Sequence, residues 1–81
     1  MKTNKKSNSV FIVPTLVSNQ AMVNAPENYS YRLIDVNGRV IESGRGVLGT
    51  NNIEMSNKSA GLYFIELIGV TSKEIKRIIK Q

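Results

Sequence analysis

The chain has 81 residues, 41% of them hydrophobic, and contains neither cysteine nor histidine; this length supports a single small domain that buries about 60% of its unfolded surface. The composition excludes disulfides, thiolate catalysis and cysteine-based metal sites, and the lack of histidine removes the commonest general base near neutral pH. The net charge of +5 lies in the two ends, because residues 1–6 and residues 73–80 each contribute +3 while the body between them sums to −1, which argues against a nucleic-acid partner for the body.

The N-terminal segment 1–9 is polar, rich in lysine and asparagine, and without periodicity, which predicts a flexible leader or linker. An apolar run follows at 10–17, and three lysines before such a run are also typical of a secretory signal peptide. Pro14 interrupts the run and polar residues follow it closely. We therefore favour a first strand at 10–13, a break at Pro14 and a second strand near 20–24.

A β-hairpin is the most specific local prediction. Residues 29–35 carry tyrosine and leucine at every second position, as expected for a half-buried strand. The side chain of Asp35 can then hydrogen-bond the backbone two residues on, and Gly38 can adopt a positive φ without steric cost. The chain should therefore reverse and continue as a strand at 39–42.

The second half of the chain contains the most apolar stretch. Three glycines in residues 43–50 indicate a loop, and the alternation that follows predicts a short strand at 51–56. A turn cluster ends at Gly61. Residues 61–68 are β-branched and aromatic, which is typical of a central strand with much of both faces covered.

The C-terminal segment 73–80 fits two structures. Ile75, Ile78 and Ile79 have the i, i+3, i+4 spacing of an amphipathic helix, with lysine and arginine on the other side. A sheet built of hairpins, however, has an edge that a final strand can close, and basic side chains on an edge strand discourage unwanted pairing. We therefore favour a strand.

These elements add up to about seven strands, spaced as in an all-β sandwich. The predicted fold is an immunoglobulin-like antiparallel β-sandwich over residues 10–81, although the Cys-Trp-Cys signature of antibody domains is absent. Carboxylates are few and no serine has an obvious partner base, so the sequence indicates neither an enzyme nor a cofactor site.

Three short motifs carry a resemblance to a known family, and their order matters more than any one of them. They are LIDVNGRV at 33–40, GLYFI at 61–65 and KRIIK at 76–80. Together, over about residues 10–81, the chain resembles the C-terminal sorting domain, type A, of proteins exported by the type IX secretion system of Bacteroidetes. Thr15 and Leu16 depart from the Pro-Asn-Pro that the family usually has at the first turn.

The resemblance implies an immunoglobulin-like sandwich that addresses a fused cargo protein to the type IX translocon of the outer membrane. The implied partners are an outer-membrane β-barrel shuttle protein, which collects the domain, and a cell-surface sortase, which commonly removes it. No nucleic acid and no small-molecule substrate is expected. The expected location is secreted or cell surface, reached through the periplasm. Under this resemblance a chain beginning at Met1 is a domain excised from its cargo or a designed one.

If the partner recognises the domain after it has folded, it must recognise the folded surface. A small sandwich with a basic final strand offers that partner a strand edge and a positively charged patch. The side chains expected to make this contact are Lys73, Lys76, Arg77 and Lys80. The competing interpretation is that they are solvated edge charges that protect solubility. The residues expected to form turns, rather than contacts, are Asp35, Gly38 and Gly61.

Two other classes of function stay open at this point. One is an adhesion or carbohydrate-binding β-sandwich, which usually lines a groove with exposed aromatics; the five aromatics of this chain are mostly assigned to the core by alternation. The other is a small basic nucleic-acid-binding barrel. Such a barrel needs aromatic side chains interleaved with lysine and arginine on one sheet face, and only Tyr29, Tyr31 and Arg32 come close to this pattern.

Overall fold

Seven β-strands form the regular structure of the part of the chain that can be described. The computed structural model describes residues 10–81, and within that range it contains no helix. The strands are β1 Leu16–Val17, β2 Gln20–Ala25, β3 Tyr29–Ile34, β4 Val40–Gly46, β5 Gly49–Glu54, β6 Gly61–Gly69 and β7 Lys73–Lys80. The all-β prediction is confirmed, and the C-terminal segment is a strand. The predicted leader at 1–9 lies outside the described residues.

The strands divide into two sheets. One sheet has five strands in the order β1-β7-β6-β3-β4, and the other pairs β2 with β5. Strands β3, β6 and β7 correspond in order to strands C, F and G of the immunoglobulin fold, and β2 and β5 to strands B and E. The predicted sandwich is therefore confirmed at the level of architecture.

The core lies between the sheets and consists of hydrophobic residues, two of which are tyrosines. It forms because alternate side chains of β2, β5 and β6 point inward, as the burial patterns of these strands show. The buried core residues are Phe11, Val17, Ala21, Val23, Ala25, Tyr29, Leu33, Ile53, Met55, Tyr63, Ile65, Leu67 and Ile78. A core of this size makes each large member important to stability.

The first predicted strand is wrong in its position. Residues 10–13 make only an isolated antiparallel bridge between Ile12 and Asn24, and the short strand β1 follows Pro14 instead. Proline has no N–H to donate to a ladder, so the chain leaves the β2 edge there and joins the five-stranded sheet. Phe11 and Val17 are 1% and 5% exposed, so the apolar run packs as part of the sandwich.

The prediction of a loop in the glycine-rich stretch 43–50 is also wrong. Strand β4 continues through Gly46 and β5 begins at Gly49, which leaves a two-residue connection. Gly44 and Gly46 face the rings of Tyr31 and Tyr29, and a Cβ at Gly44 would come within 2.8 Å of the Tyr31 ring. These glycines therefore leave room for tyrosines that cross over the strand.

The connection between β4 and β5 is held by asparagine side chains. The Oδ1 of Asn51 accepts the Val47 N–H at 3.0 Å, and the Oδ1 of Asn28 accepts the Leu48 N–H at 2.9 Å. Gly49 has φ 101°, which only glycine adopts readily. The tight turn shifts β5 toward the N-terminus, so it ends at Glu54 and not at residue 56.

A tyrosine corner fixes the start of β6. The hydroxyl of Tyr63 donates to the carbonyl of Ser59 at 2.7 Å, which is the backbone-directed bond that immunoglobulin-like domains make at the start of strand F. Ile65 follows two residues later, where antibody domains carry their second cysteine. Ile65 is 0% exposed, so an aliphatic side chain fills the position of the disulfide.

A small polar network joins β3, β4 and the turn before β6. Glu42 accepts hydrogen bonds from the Tyr31 hydroxyl at 3.0 Å and from the Lys58 ammonium at 2.7 Å. The Lys58 ammonium, supported by the Tyr31 hydroxyl, holds the pKa of Glu42 below its usual value. Burial, together with the bond to Glu42, raises the pKa of Tyr31 to about 12. The network therefore favours an ionised Glu42 in the folded state.

Replacing Glu42 with glutamine should lower the free energy of unfolding at neutral pH by about 1 kcal/mol, because charge-assisted hydrogen bonds are lost at a partly exposed site. The folded-state pKa of Glu42 lies below the reference value of 4.5. Its contribution is therefore complete above the unfolded pKa and is lost as pH falls through the lower folded pKa. Urea unfolding across this range should show the two proteins converging in acid.

Lys58→Gln provides the matched test of this network. It removes the main cause of the lowered Glu42 pKa, so it should lose the same pH-dependent component, and the double variant should add little. A wild-type advantage over Glu42→Gln that stays constant from neutral pH into acid would contradict the assignment.

Candidate functional site

Strand β7 is the strand on which the recognition residues were predicted, and it lies next to the edge of the five-stranded sheet. It pairs along its whole length with β6. On its other side β1 pairs with only two residues, Ile79 and Lys80. Within residues 10–81, the rest of that side has no neighbouring strand.

The open part of this edge has a defined set of backbone groups. The N–H of Ile79 donates to the Thr15 carbonyl at 2.6 Å, so Ile79 directs its backbone polar groups away from β6. Because alternate residues of a strand point to the same side, Lys73, Ile75 and Arg77 direct their N–H and C=O groups to the open edge. The five-residue stretch 73–77, with three residues that direct their backbone groups outward, is thus available for pairing.

The turn that leads into β7 is tied down by a carboxylate. Glu27 accepts hydrogen bonds from the backbone N–H of Thr71 at 3.0 Å and from its hydroxyl. The Thr71 N–H holds the pKa of Glu27 below its usual value. The start of β7 is therefore fixed against the turn that precedes β3.

The four basic side chains of β7 do not form one patch. Lys73 and Arg77 are exposed on the outer face of the sheet together with Ile75 and Ile79. Lys76 and Lys80 alternate with them and share the inward side with the buried Ile78 and the half-buried Glu74. The predicted contact set is thus split between two faces.

Their ion pairs differ as well. The Lys73 ammonium lies 3.5 Å from the Glu66 carboxylate, and the Lys76 ammonium lies 3.2 Å from the Glu74 carboxylate. The Lys80 ammonium donates to the Gln81 carbonyl at 2.8 Å. Arg77 has neither a hydrogen bond nor an ion pair with any residue in the 10–81 range. Of the four, its charge is the most available to a partner.

Of the three motif residues, Asp35 and Gly38 lie in the turn before β4, whereas Gly61 is the first residue of β6. Asp35 accepts the backbone N–H groups of Asn37 and Arg39 at 2.9 and 3.0 Å. The Arg39 N–H is the main reason that the pKa of Asp35 lies below its usual value. Gly38 and Gly61 have φ of 86° and 145°, which side chains rarely allow. The described contacts of Asp35 and Gly38 are local, whereas Gly61 pairs with Lys80 of β7.

The outer face of the five-stranded sheet is a surface that the sequence pattern does not predict. Strand β6 is central, as predicted, but in the described part of the chain no second layer covers its outer side, where Leu62, Phe64 and Ile68 are only half-buried. Residues 61–68 are apolar at both alternating sets of positions. This pattern fits a strand with one partly exposed apolar face as well as it fits a strand covered on both faces. The prediction that both faces are covered is therefore wrong for the outer one.

The alternative partner classes find little support in this geometry. Tyr29 is buried and Tyr31 half-buried on the inner side of β3, whereas Arg32 is exposed on the opposite side. The five aromatic side chains are all buried or half-buried. Residues 10–81 contain no cluster of potential metal ligands, and no helix there could span a membrane.

A model of the family described as "secretion system C-terminal sorting domain" matches residues 11–81, which is nearly all of the sandwich. The chain belongs to this family. The sorting domain is a signal for type IX secretion and directs export across the outer membrane, to the cell surface or the medium. The family is not an enzyme family. No curated protein matches the chain.

Proposed function

We propose that an outer-membrane β-barrel shuttle protein collects the folded sorting domain at β7 and that a cell-surface sortase then removes the domain from its cargo. The main support is that β7 is a folded strand with an open edge at Lys73, Ile75 and Arg77. A strand edge of this kind can accept an extended segment of a partner, which would add to the five-stranded sheet.

Electrostatics supports the same strand as the recognition element. Residues 73–80 carry four basic side chains and one acidic one, for a local charge of +3 in a nearly neutral body. We propose that Lys73, Lys76, Arg77 and Lys80 attract an acidic surface on the shuttle protein. Arg77 should contribute most, since its charge has no described partner, whereas exposed paired charges gain little from a new contact.

The cleavage step would fall before the sandwich. Residues 1–9 are mostly polar and precede Phe11, the first buried side chain in the described range 10–81. We propose that they serve as the linker between cargo and sorting domain, because polar connections of this composition are the preferred sites of proteolysis. The sandwich itself would then leave as one folded unit.

Export of a neutral reporter carrying residues 1–81, in a host with a type IX system, tests the proposal. Changing Lys76, Arg77 and Lys80 together to glutamine should lower export about tenfold, because the attraction that guides the encounter is lost. Circular dichroism and thermal unfolding of the purified variant establish that the fold survives.

The control removes the same charge elsewhere. Changing Lys2, Lys5 and Lys6 to glutamine also lowers the net charge by three and should leave export unchanged. Equal loss of export in both variants would mean that total charge matters and that β7 is not the site. Wild-type export of the β7 variant would reject these residues while leaving the sorting domain assignment intact.

A further inference from the structure

The outer face of the five-stranded sheet carries a cluster of apolar side chains, with Arg77 between Ile75 and Ile79 on β7. Strand register places Arg77 beside Phe64 and Phe64 beside Ile34, and it places Leu62 beside Ile79 and Ile79 beside Leu16. We call the outer-face patch the set formed by Leu16, Ile34, Leu62, Phe64, Ile75 and Ile79. Leu16, Ile75 and Ile79 are 58%, 60% and 37% exposed. Exposed apolar side chains grouped in this way on a small domain mark an interaction surface.

Unbalanced positive charge borders the patch. Arg32 and Lys73 both pair with the single carboxylate of Glu66, at 3.4 and 3.5 Å. Arg45 and Arg77 have no ion-pair partner among the described residues. Four cations thus face one carboxylate, which leaves a local charge of +3.

A shallow recess lies on the same face, beyond the apolar residues. Its volume is about 420 Å³ and it lies between the side chains of Arg32 and Arg45, with Ser30, Ser43 and Ile68 in its lining. Two guanidinium groups and two hydroxyl-bearing residues suit a carboxylate, which accepts several hydrogen bonds at once. The recess can therefore receive an acidic side chain from a molecule seated on the patch.

We propose that the outer-face patch is a docking surface for a partner protein whose contact surface has an apolar centre and a rim of carboxylates. This inference rests on the proposed function, since it assigns to the shuttle protein a sheet face as well as a strand edge. The arrangement matches the usual anatomy of an interface, with an apolar centre and arginine-rich margins. Ile75 and Arg77 belong to both the edge and the face, so one partner could engage the two together.

A second copy of the chain is a poor occupant of this surface. A symmetric dimer would bring the same patch of both subunits together. Each patch carries +3, so arginines would face arginines with too few carboxylates to neutralise them. The charge therefore selects an acidic partner over self-association.

The double variant Ile75→Thr, Ile79→Thr tests the apolar centre by reporter export. Threonine is β-branched and keeps the strand propensity of β7, and both positions are substantially exposed. Export should fall about tenfold or more, as expected when central interface residues are truncated. The matched control is Ile12→Thr, Leu48→Thr, two positions that are 62% and 64% exposed and lie outside the five-stranded sheet, and it should be exported normally.

Arg45→Glu tests the rim without touching β7 or the apolar centre. It reverses a charge at the recess and should lower export several-fold, whereas Lys5→Glu makes the same charge change in the N-terminal segment and should not. This arm also keeps the proposal testable if the threonine variant folds poorly.

The outcomes separate the two proposals. If the wild-type fusion is not exported, the proposed function fails and the docking surface falls with it. Normal export of both the threonine variant and Arg45→Glu, with a functional wild type, would overturn the docking surface alone. Two further results would overturn it: a wild-type dimer in sedimentation experiments that Arg45→Glu strengthens, or binding to anionic phospholipid vesicles that the threonine variant loses.

Discussion

Replacing Ile65 with alanine should lower the free energy of unfolding by about 3 kcal/mol, because a fully buried aliphatic side chain is truncated and the cavity closes only in part. Ile65 is 0% exposed and lies on β6, the strand between β7 and β3. A domain of this size has only about 4–12 kcal/mol in total. We therefore expect the melting temperature to fall by roughly 12–24 °C.

Export should follow stability in this variant. If the sorting signal is the folded surface, a population that is partly unfolded at growth temperature presents β7 and the outer-face patch for only part of the time. The amount of exported reporter should therefore drop, although no predicted contact residue has changed. Thermal unfolding and export measured on the same fusion test the link.

Ile12→Ala is the matched control, since it truncates the same residue type at a position that is 62% exposed and lies outside both β7 and the outer-face patch. Its melting temperature should change little, because little apolar surface leaves the core. An Ile65→Ala domain that is clearly destabilised yet exported as well as wild type would contradict a signal read from the folded shape. In that case the sorting signal would have to be a short linear segment that is recognised without folding.

Periodicity predicted most of the strands, and it failed where an element is too short to have a period. The first strand of the hairpin, at 29–35, has apolar side chains at every second residue, and the strand at 61–68 is a mostly apolar run bounded by glycines, so their positions follow from sequence. β1 spans only Leu16–Val17. Its place depends on parallel pairing with the end of β7, a long-range contact that local pattern does not contain.

The candidate site could be predicted only in part for a similar reason. The basic residues of β7 are visible in the sequence, and alternation separates Lys73 and Arg77 from Lys76 and Lys80. The outer-face patch is different, because it exists only once β7, β6 and β3 are in register and bring Arg77, Phe64 and Ile34 side by side. Register between distant strands is set by tertiary packing.

The glycine-rich stretch shows how composition can mislead. Glycines at 44, 46 and 49 suggested a flexible loop, because glycine weakens strands when nothing compensates for its missing side chain. Here the compensation comes from Tyr29 and Tyr31 on the neighbouring strand, whose rings lie over Gly46 and Gly44. The sequence contains both partners but does not reveal that they pair.

Replacing Gly46 with alanine should therefore destabilise the domain by about 2 kcal/mol, although Gly→Ala within a strand normally stabilises by roughly 0.5–1 kcal/mol. A Cβ at this position would collide with the ring of Tyr29. That ring is 5% exposed and packs edge-on against Phe11, with centroids 5.3 Å apart. It cannot move aside without opening the core around Phe11.

Two comparisons test whether the Tyr29 ring causes the destabilisation expected for Gly46→Ala. Gly44→Ala meets the ring of Tyr31, which is only half-buried and can shift toward solvent, so its cost should be well below that of Gly46→Ala. In a Tyr29→Leu background the cost of Gly46→Ala should also fall, because the colliding ring is gone. Urea unfolding of the four single and double variants measures both differences. Equal costs at the two glycines, or a Gly46→Ala penalty that persists without the tyrosine ring, would show that the steric contact with Tyr29 is not what requires glycine at this position.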